Sequence, residues 1–164
     1  MITPLRPIWP LIALLVSAAL LAGAHAFETF GHMAPCVMCL QQRVVHWWIL
    51  GLAAAAFVVV RVRPNWARPV AFVIGLAFLV SVYFAGRHVA VEHHWIAAQC
   101  EAVKFDPNAL RFDPHATIAM PRCDVPAWSM FGITMAGYNA LISLAMVILS
   151  FVIAFARTRK KADA

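Results

Sequence analysis

The chain has 164 residues, of which 63% are hydrophobic and only 12% are charged. A soluble domain of this size is about half apolar and about a quarter charged, so the composition excludes an ordinary soluble fold. The net charge of +6 does not point to nucleic acid either: the basic residues gather at the ends of apolar runs, and no basic, aromatic-interleaved patch stands apart from them.

Four runs lack Asp, Glu, Lys and Arg: Ile8 to Phe27, Val44 to Val60, Pro69 to Gly86 and Gly132 to Ala156. Each is near the roughly 20 residues that cross a hydrocarbon core, the second at the short end. A single span in lipid must satisfy its own backbone hydrogen bonds, which selects helix. Long runs without polar alternation do not suit barrel strands. The predicted fold is therefore an all-α membrane protein, one integral domain over residues 1–164. Its four transmembrane helices lie at about 8–27, 41–60, 69–86 and 132–156, with a short loop at about 28–40 and a long one at about 87–131.

The first helix follows Arg6 and ends near Ala24-His25-Ala26, which also resembles a cleavable signal peptide. Its length and the spans that follow favour a retained helix; cleavage would start the mature chain at Phe27. The connection from the second helix to the third carries Arg61, Arg63 and Arg68. The fourth helix is followed by Arg157, Arg159, Lys160 and Lys161. With Arg6 and Asp163 these segments carry +7, whereas the other two connections carry −1. Basic residues near span ends favour the cytoplasm, so both termini are expected there and the 28–40 and 87–131 loops are expected outside.

The long loop holds His88, His93, His94, His115 and two turn-prone Asp-Pro pairs, and loops of this length are often functional. The stretch from Val125 to Met135 mixes aromatic and small polar residues, as interfacial segments do; an aromatic belt explains Trp95 and Trp128 nearly as well. Gly75 and Gly137 are candidates for close helix approach.

All four cysteines, Cys36, Cys39, Cys100 and Cys123, fall on the expected outer side, where disulfides are permitted. A bridge between 100 and 123 would close a loop of 24 residues and contribute ~3 kcal/mol in the chain-entropy model. A bridge within Cys36-x-x-Cys39 constrains almost no chain, so a staple is a poor explanation for that pair. A zinc site is a second reading, although the spacing lacks the paired arrangement of a four-cysteine site. Redox chemistry is the third. Thiol exchange needs a thiolate, and Pro35 sets up a helix beginning between Cys36 and Leu40. Cys39 then sits in a first turn that favours an anion. Arg43 lies four residues on, on the same face, where its permanent charge can stabilise a thiolate; alone it would read as a snorkelling interface residue.

The segments PCVMCLQQR at 35–43, VEH at 91–93 and PRCDVPAWSMFGITMAGYN at 121–139 resemble the DsbB family of the bacterial inner membrane, and the likeness spans the four-helix layout and both cysteine pairs. The resemblance implies a protein-dithiol:quinone oxidoreductase that reoxidises a DsbA-like periplasmic oxidase and passes electrons to a membrane quinone, ubiquinone or menaquinone. It implies that Cys100 forms the mixed disulfide with the partner, Cys123 completes the long-loop pair and Cys39 faces the quinone. Arg43 would hold the thiolate or a quinone oxygen, and Glu92 and His93 would lie near the quinone. Gln42 stands where many members carry an acid, so no proton-transfer role is expected of it. The Cys100–Cys123 loop is also somewhat shorter than in the best-known member. The alternative is a non-catalytic membrane subunit with a stapled or zinc-binding outer loop.

Overall fold

A computed structural model describes residues 3–97 and 122–156; Cys100 and His115 lie outside them. A 3-10 turn at Thr3–Ile8 leads into α1 (Trp9–Thr29). α2 spans Val37–Val62, α3 spans Ala67–Glu92 and α4 spans Met135–Phe155. All four helices are long and apolar enough to cross a membrane, so the chain is a multi-pass membrane protein. They run antiparallel in sequence order. α1 packs along α2, α2 against α3 and α3 along α4, whereas α4 touches α1 little and α2 less still.

The helices outrun the uncharged stretches where local chemistry allows it. α2 begins at Val37 rather than near 41, because Cys36 caps it: its sulfur accepts from the Cys39 backbone N–H at 3.2 Å. α3 continues past Gly86 to Glu92, since Arg87 and Glu92 do not break a helix that neighbours support. α4 starts at Met135 rather than 132, because residues 129–134 form a hairpin of β1 (Ser129–Met130) and β2 (Ile133–Thr134). Its two turn residues, Phe131 and Gly132, both have positive φ, at 52° and 77°. This is the backbone that two-residue hairpins require, and it favours glycine at the second position. Thr134 then caps α4 through the Gly137 N–H at 3.1 Å.

At the end that carries the chain termini, Trp9, Ala13, Ala56, Ala71, Ile74 and Ile153 form a buried core. Small residues let the helices close up there. A Cβ added at Gly75 would stand 3.0 Å from the Ser150 Cβ and 3.1 Å from the Phe151 ring, so Gly75 does allow close approach of α3 and α4. Gly137 does not serve that purpose; a Cβ there would meet Ile133 of its own segment. Arg68 donates to the Ala154 carbonyl at 2.9 Å and Arg6 to the Ala156 carbonyl, meeting the unpaired acceptors and negative dipole at the end of α4.

Candidate redox site at the cysteine end

The opposite end of the bundle is built around Cys36. Pro35 precedes it, and its extended backbone (φ −75°, ψ 167°) turns the chain into α2. Cys36 is buried and Cys39, one turn on, is half-buried; both are free thiols. Cys39, hydrogen-bonded to Cys36, raises the Cys36 thiol far above its ordinary range, and burial adds to the rise. Cys36, Met38, Val91 and Cys123 form one buried cluster, with Cys39 packed against it. Cys123 is disulfide-bonded. The fold thus sets a member of the second cysteine pair against the first.

α3 delivers His88 and Glu92, four residues apart and so on one face. His88 Nε2 lies 3.7 Å from the Cys36 sulfur and 3.8 Å from Glu92 Oε1. Glu92 Oε2 accepts from the Thr134 hydroxyl at 2.6 Å, so the residue that caps α4 also fixes this carboxylate. Gln42 Nε2 donates to His88 Nδ1 at 2.8 Å, and Asn139 Nδ2 donates to Gln42 Oε1 at 2.7 Å. His46 Nε2 in turn donates to Asn139 Oδ1 at 2.9 Å. Ser17, Ser81 and Ser143 surround that end of the chain, with Ser17 Oγ 3.3 Å from His46 Nδ1 and Ser81 Oγ 2.9 Å from Ser143 Oγ. The result is a buried polar chain from Cys36 to the middle of the bundle, with members on all four helices. Polar side chains are costly in a membrane interior unless partnered, and they mark functional positions by default.

Arg43 reaches across to α1. It donates to the Glu28 carboxylate, and its second terminal nitrogen donates to the Ala24 carbonyl at 3.0 Å. That ties α1 to α2 at the rim of a cavity of about 400 Å³. The cavity wall includes Cys36, Cys39, Arg43, His88 and Glu92, and is otherwise mostly apolar. α1 and α4 both line it, and these two helices touch each other little. Phe27, Trp128 and Tyr138 form an aromatic rim, with ring centroids 5.1 and 6.1 Å apart; Trp128 therefore does more than decorate an interface. Arg122 donates twice to Asp124, at 3.0 and 2.6 Å. This holds the Asp124 carboxyl below its usual range and steadies the segment around Cys123.

Of the residues singled out in the sequence, Cys36, Cys39, Arg43 and Glu92 meet in this cavity wall and Cys123 packs behind it. His93 stands elsewhere: it follows α3, is exposed, and stacks on Trp95 at 5.1 Å. His88 occupies the inner position instead, inside α3 rather than in the loop. Donor atoms of Cys36, Cys39 and His88 all lie within 4.8 Å of one another.

The model of one family, described as disulfide bond formation protein DsbB, matches residues 6–153. The chain belongs to the DsbB family. Among its relatives, a disulfide bond formation protein B of Haemophilus influenzae (strain 86-028NP) is 28% identical over 163 residues, covering 90% of this chain and 85% of the relative. The protein of the same name in Dechloromonas aromatica (strain RCB) is 28% identical over 136 residues, covering 78% and 79%. No solved structure matches. Membership places this DsbB-family chain in disulfide bond formation, in keeping with two free thiols packed against a disulfide-bonded third cysteine.

His88, Gln42, His46 and Asn139 join the site only in the folded protein; in the sequence, His46 is a lone polar residue inside an uncharged run, and Asn139 lies in another.

Proposed function

We propose that the protein is a protein-dithiol:quinone oxidoreductase of the bacterial inner membrane. It reoxidises a DsbA-like periplasmic thiol oxidase and passes two electrons to a membrane quinone. The observation that carries this reading is the position of Cys36 and Cys39, as free thiols, in the wall of a largely apolar cavity. Its volume lies in the ordinary range for small-molecule sites.

The cavity fits a quinone head. Its apolar wall and aromatic rim suit a flat ring, Arg43 supplies charged donors, and the gap between α1 and α4 suits entry from lipid. A quinone bound there would accept two electrons and two protons. The chain's own residues do the rest. Cys100 takes the partner's sulfur in a mixed disulfide, and the partner's second thiolate resolves it, leaving Cys100 and Cys123 reduced. A thiolate of that pair opens the Cys36–Cys39 disulfide, and resolution within the loop returns the Cys100–Cys123 bond. Closing Cys36–Cys39 again releases two electrons and two protons. Arg43 stabilises negative charge in the cavity, and Glu92, fixed by Thr134, sets the charge opposite it. The charge asymmetry of the connections supports a periplasmic cysteine end and cytoplasmic termini.

Anaerobic mixing of the detergent-solubilised protein with a reduced DsbA-like partner and a water-soluble quinone tests the reading by quinol absorbance. Catalytic quinol formation is expected, and Cys39→Ser is expected to abolish it. Undiminished quinone reduction by that variant contradicts the proposal.

A further inference from the structure

Two thiols and an imidazole converge in the cavity wall. A tetrahedral zinc ion has bonds of about 2.3 Å to sulfur and about 2.0 Å to nitrogen, which sets those two atoms about 3.5 Å apart. The Cys36 sulfur and His88 Nε2 are 3.7 Å apart, and the three donors including Cys39 lie within 4.8 Å of one another. Glu92 Oε1, 3.8 Å from the same nitrogen, lies outside that trio, and its other oxygen accepts from Thr134. The far nitrogen of His88 is held by Gln42, itself held by Asn139, and ligating histidines are usually oriented by such a second contact. Soft thiolates with imidazole select zinc over magnesium or calcium.

We propose that the reduced protein binds one zinc ion through Cys36, Cys39 and His88, with water in the fourth position, and that this binding arrests the cysteine pair in its dithiol state. The proposal adds regulation to the site assigned above and rests on that reading for its consequence, not for the binding itself. Zinc replaces the two thiol protons, which leave to solvent; no electrons move, so no oxidant is involved. Ligation at Nε2 places the ring proton on Nδ1. Gln42 and Asn139 then turn their amides over, exchanging donor for acceptor without changing shape, and His46 takes its proton on Nδ1, facing Ser17, so that its Nε2 accepts from Asn139. Closing the Cys36–Cys39 disulfide removes both thiolates, so the oxidised protein has no site. Zinc and quinone therefore compete for the same reduced state.

The test uses the full chain carrying Cys100→Ser and Cys123→Ser, so that Cys36 and Cys39 are its only cysteines. The protein is reduced with a phosphine, and zinc is titrated against a chromogenic chelator with neither quinone nor partner present. The outcome is thus independent of whether the protein turns over. Stoichiometric binding is expected in the reduced protein and none after the pair is oxidised. X-ray absorption should show two sulfur ligands at about 2.3 Å and lighter ligands at about 2.0 Å. Gln42→Ala should weaken binding by roughly 10–100-fold, as loss of an orienting partner does, and His88→Ala should weaken it more. Sub-stoichiometric zinc in the reduced protein, equal binding after oxidation, or unchanged affinity in His88→Ala overturns the proposal. Oxidation of the unaltered pair is a control that no folding defect can mimic.

Discussion

At the end of the bundle that carries the termini, Trp9, Ala13, Ala56, Ala71, Ile74 and Ile153 close the space between helices, and Trp9 Nε1 donates to Ser150 at 3.1 Å. At the cysteine end the same four helices part around a cavity of about 400 Å³. There the contacts are ion pairs, caps and a hydrogen-bonded chain rather than interlocked apolar side chains. The contrast separates two tasks. Apolar and small residues at one end fix how the helices cross. At the other end those fixed helices hold two thiols, an imidazole and a guanidinium around space that a ligand can enter.

Changes confined to one end should leave the other end's task intact. Ile74 is fully buried, and Ile74→Ala is expected to cost about 2–5 kcal/mol through the lost burial and the cavity left behind. Denaturant titration in detergent measures this. Turnover per folded molecule should change little, and loss of activity at full folding would show that the ends are coupled. Arg43→Ala is expected to raise the quinone KM by about tenfold, in line with losing one hydrogen bond to a charged group at ~1.5 kcal/mol, with the disulfides still able to form. Arg43→Lys should restore the charge but not the paired donation to Glu28 and Ala24. Unchanged kinetics in Arg43→Ala would leave it as an anchor between α1 and α2. Asn139→Leu removes the partner of both Gln42 and His46. It is expected to lower stability by roughly 1 kcal/mol, within the range for interhelical hydrogen bonds in membranes.

The smallest effect concerns the order in which the thiols react. The Cys36 thiol is raised by its bond with Cys39 and by burial, so Cys36 keeps its proton above the ordinary thiol range of about 8.5. Alkylation of the reduced protein, followed by peptide mass spectrometry, should label Cys39 first. Labelling of Cys36 should rise only in more alkaline solution. Equal rates at neutral pH would remove the distinction between the two sulfurs.

Much of this contrast was legible in the sequence. Uncharged runs set the four helices, because lipid forces the backbone to bond within each span. Pro35 and the Cys36-x-x-Cys39 spacing placed the thiols at a helix start, and Arg43 fell on the same face. His88 was harder. A run defined by missing charge ends before Arg87 and so assigns His88 to the long loop, although α3 continues to Glu92. Spacing could have recovered it, since His88 and Glu92 are one helical turn apart. The chain of Ser17, Gln42, His46, Ser81, Asn139 and Ser143 was hidden for a different reason. Its members lie on four helices and meet only once those helices pack. The hairpin at residues 129–134 has no clear sequence signal, because Phe131 takes a positive φ that its residue type does not favour.

The most direct test of the central claim, that Cys36 and Cys39 are the immediate electron donors to a quinone in the cavity, is a single turnover without any partner. The Cys100→Ser/Cys123→Ser chain, fully reduced and freed of reductant, is mixed anaerobically with excess quinone. Quinol and free thiols are then counted. The account predicts one quinol formed for each pair of thiols lost, and none when Cys39→Ser is added. Quinol formed without thiol loss, or no quinol from the intact pair, would contradict it.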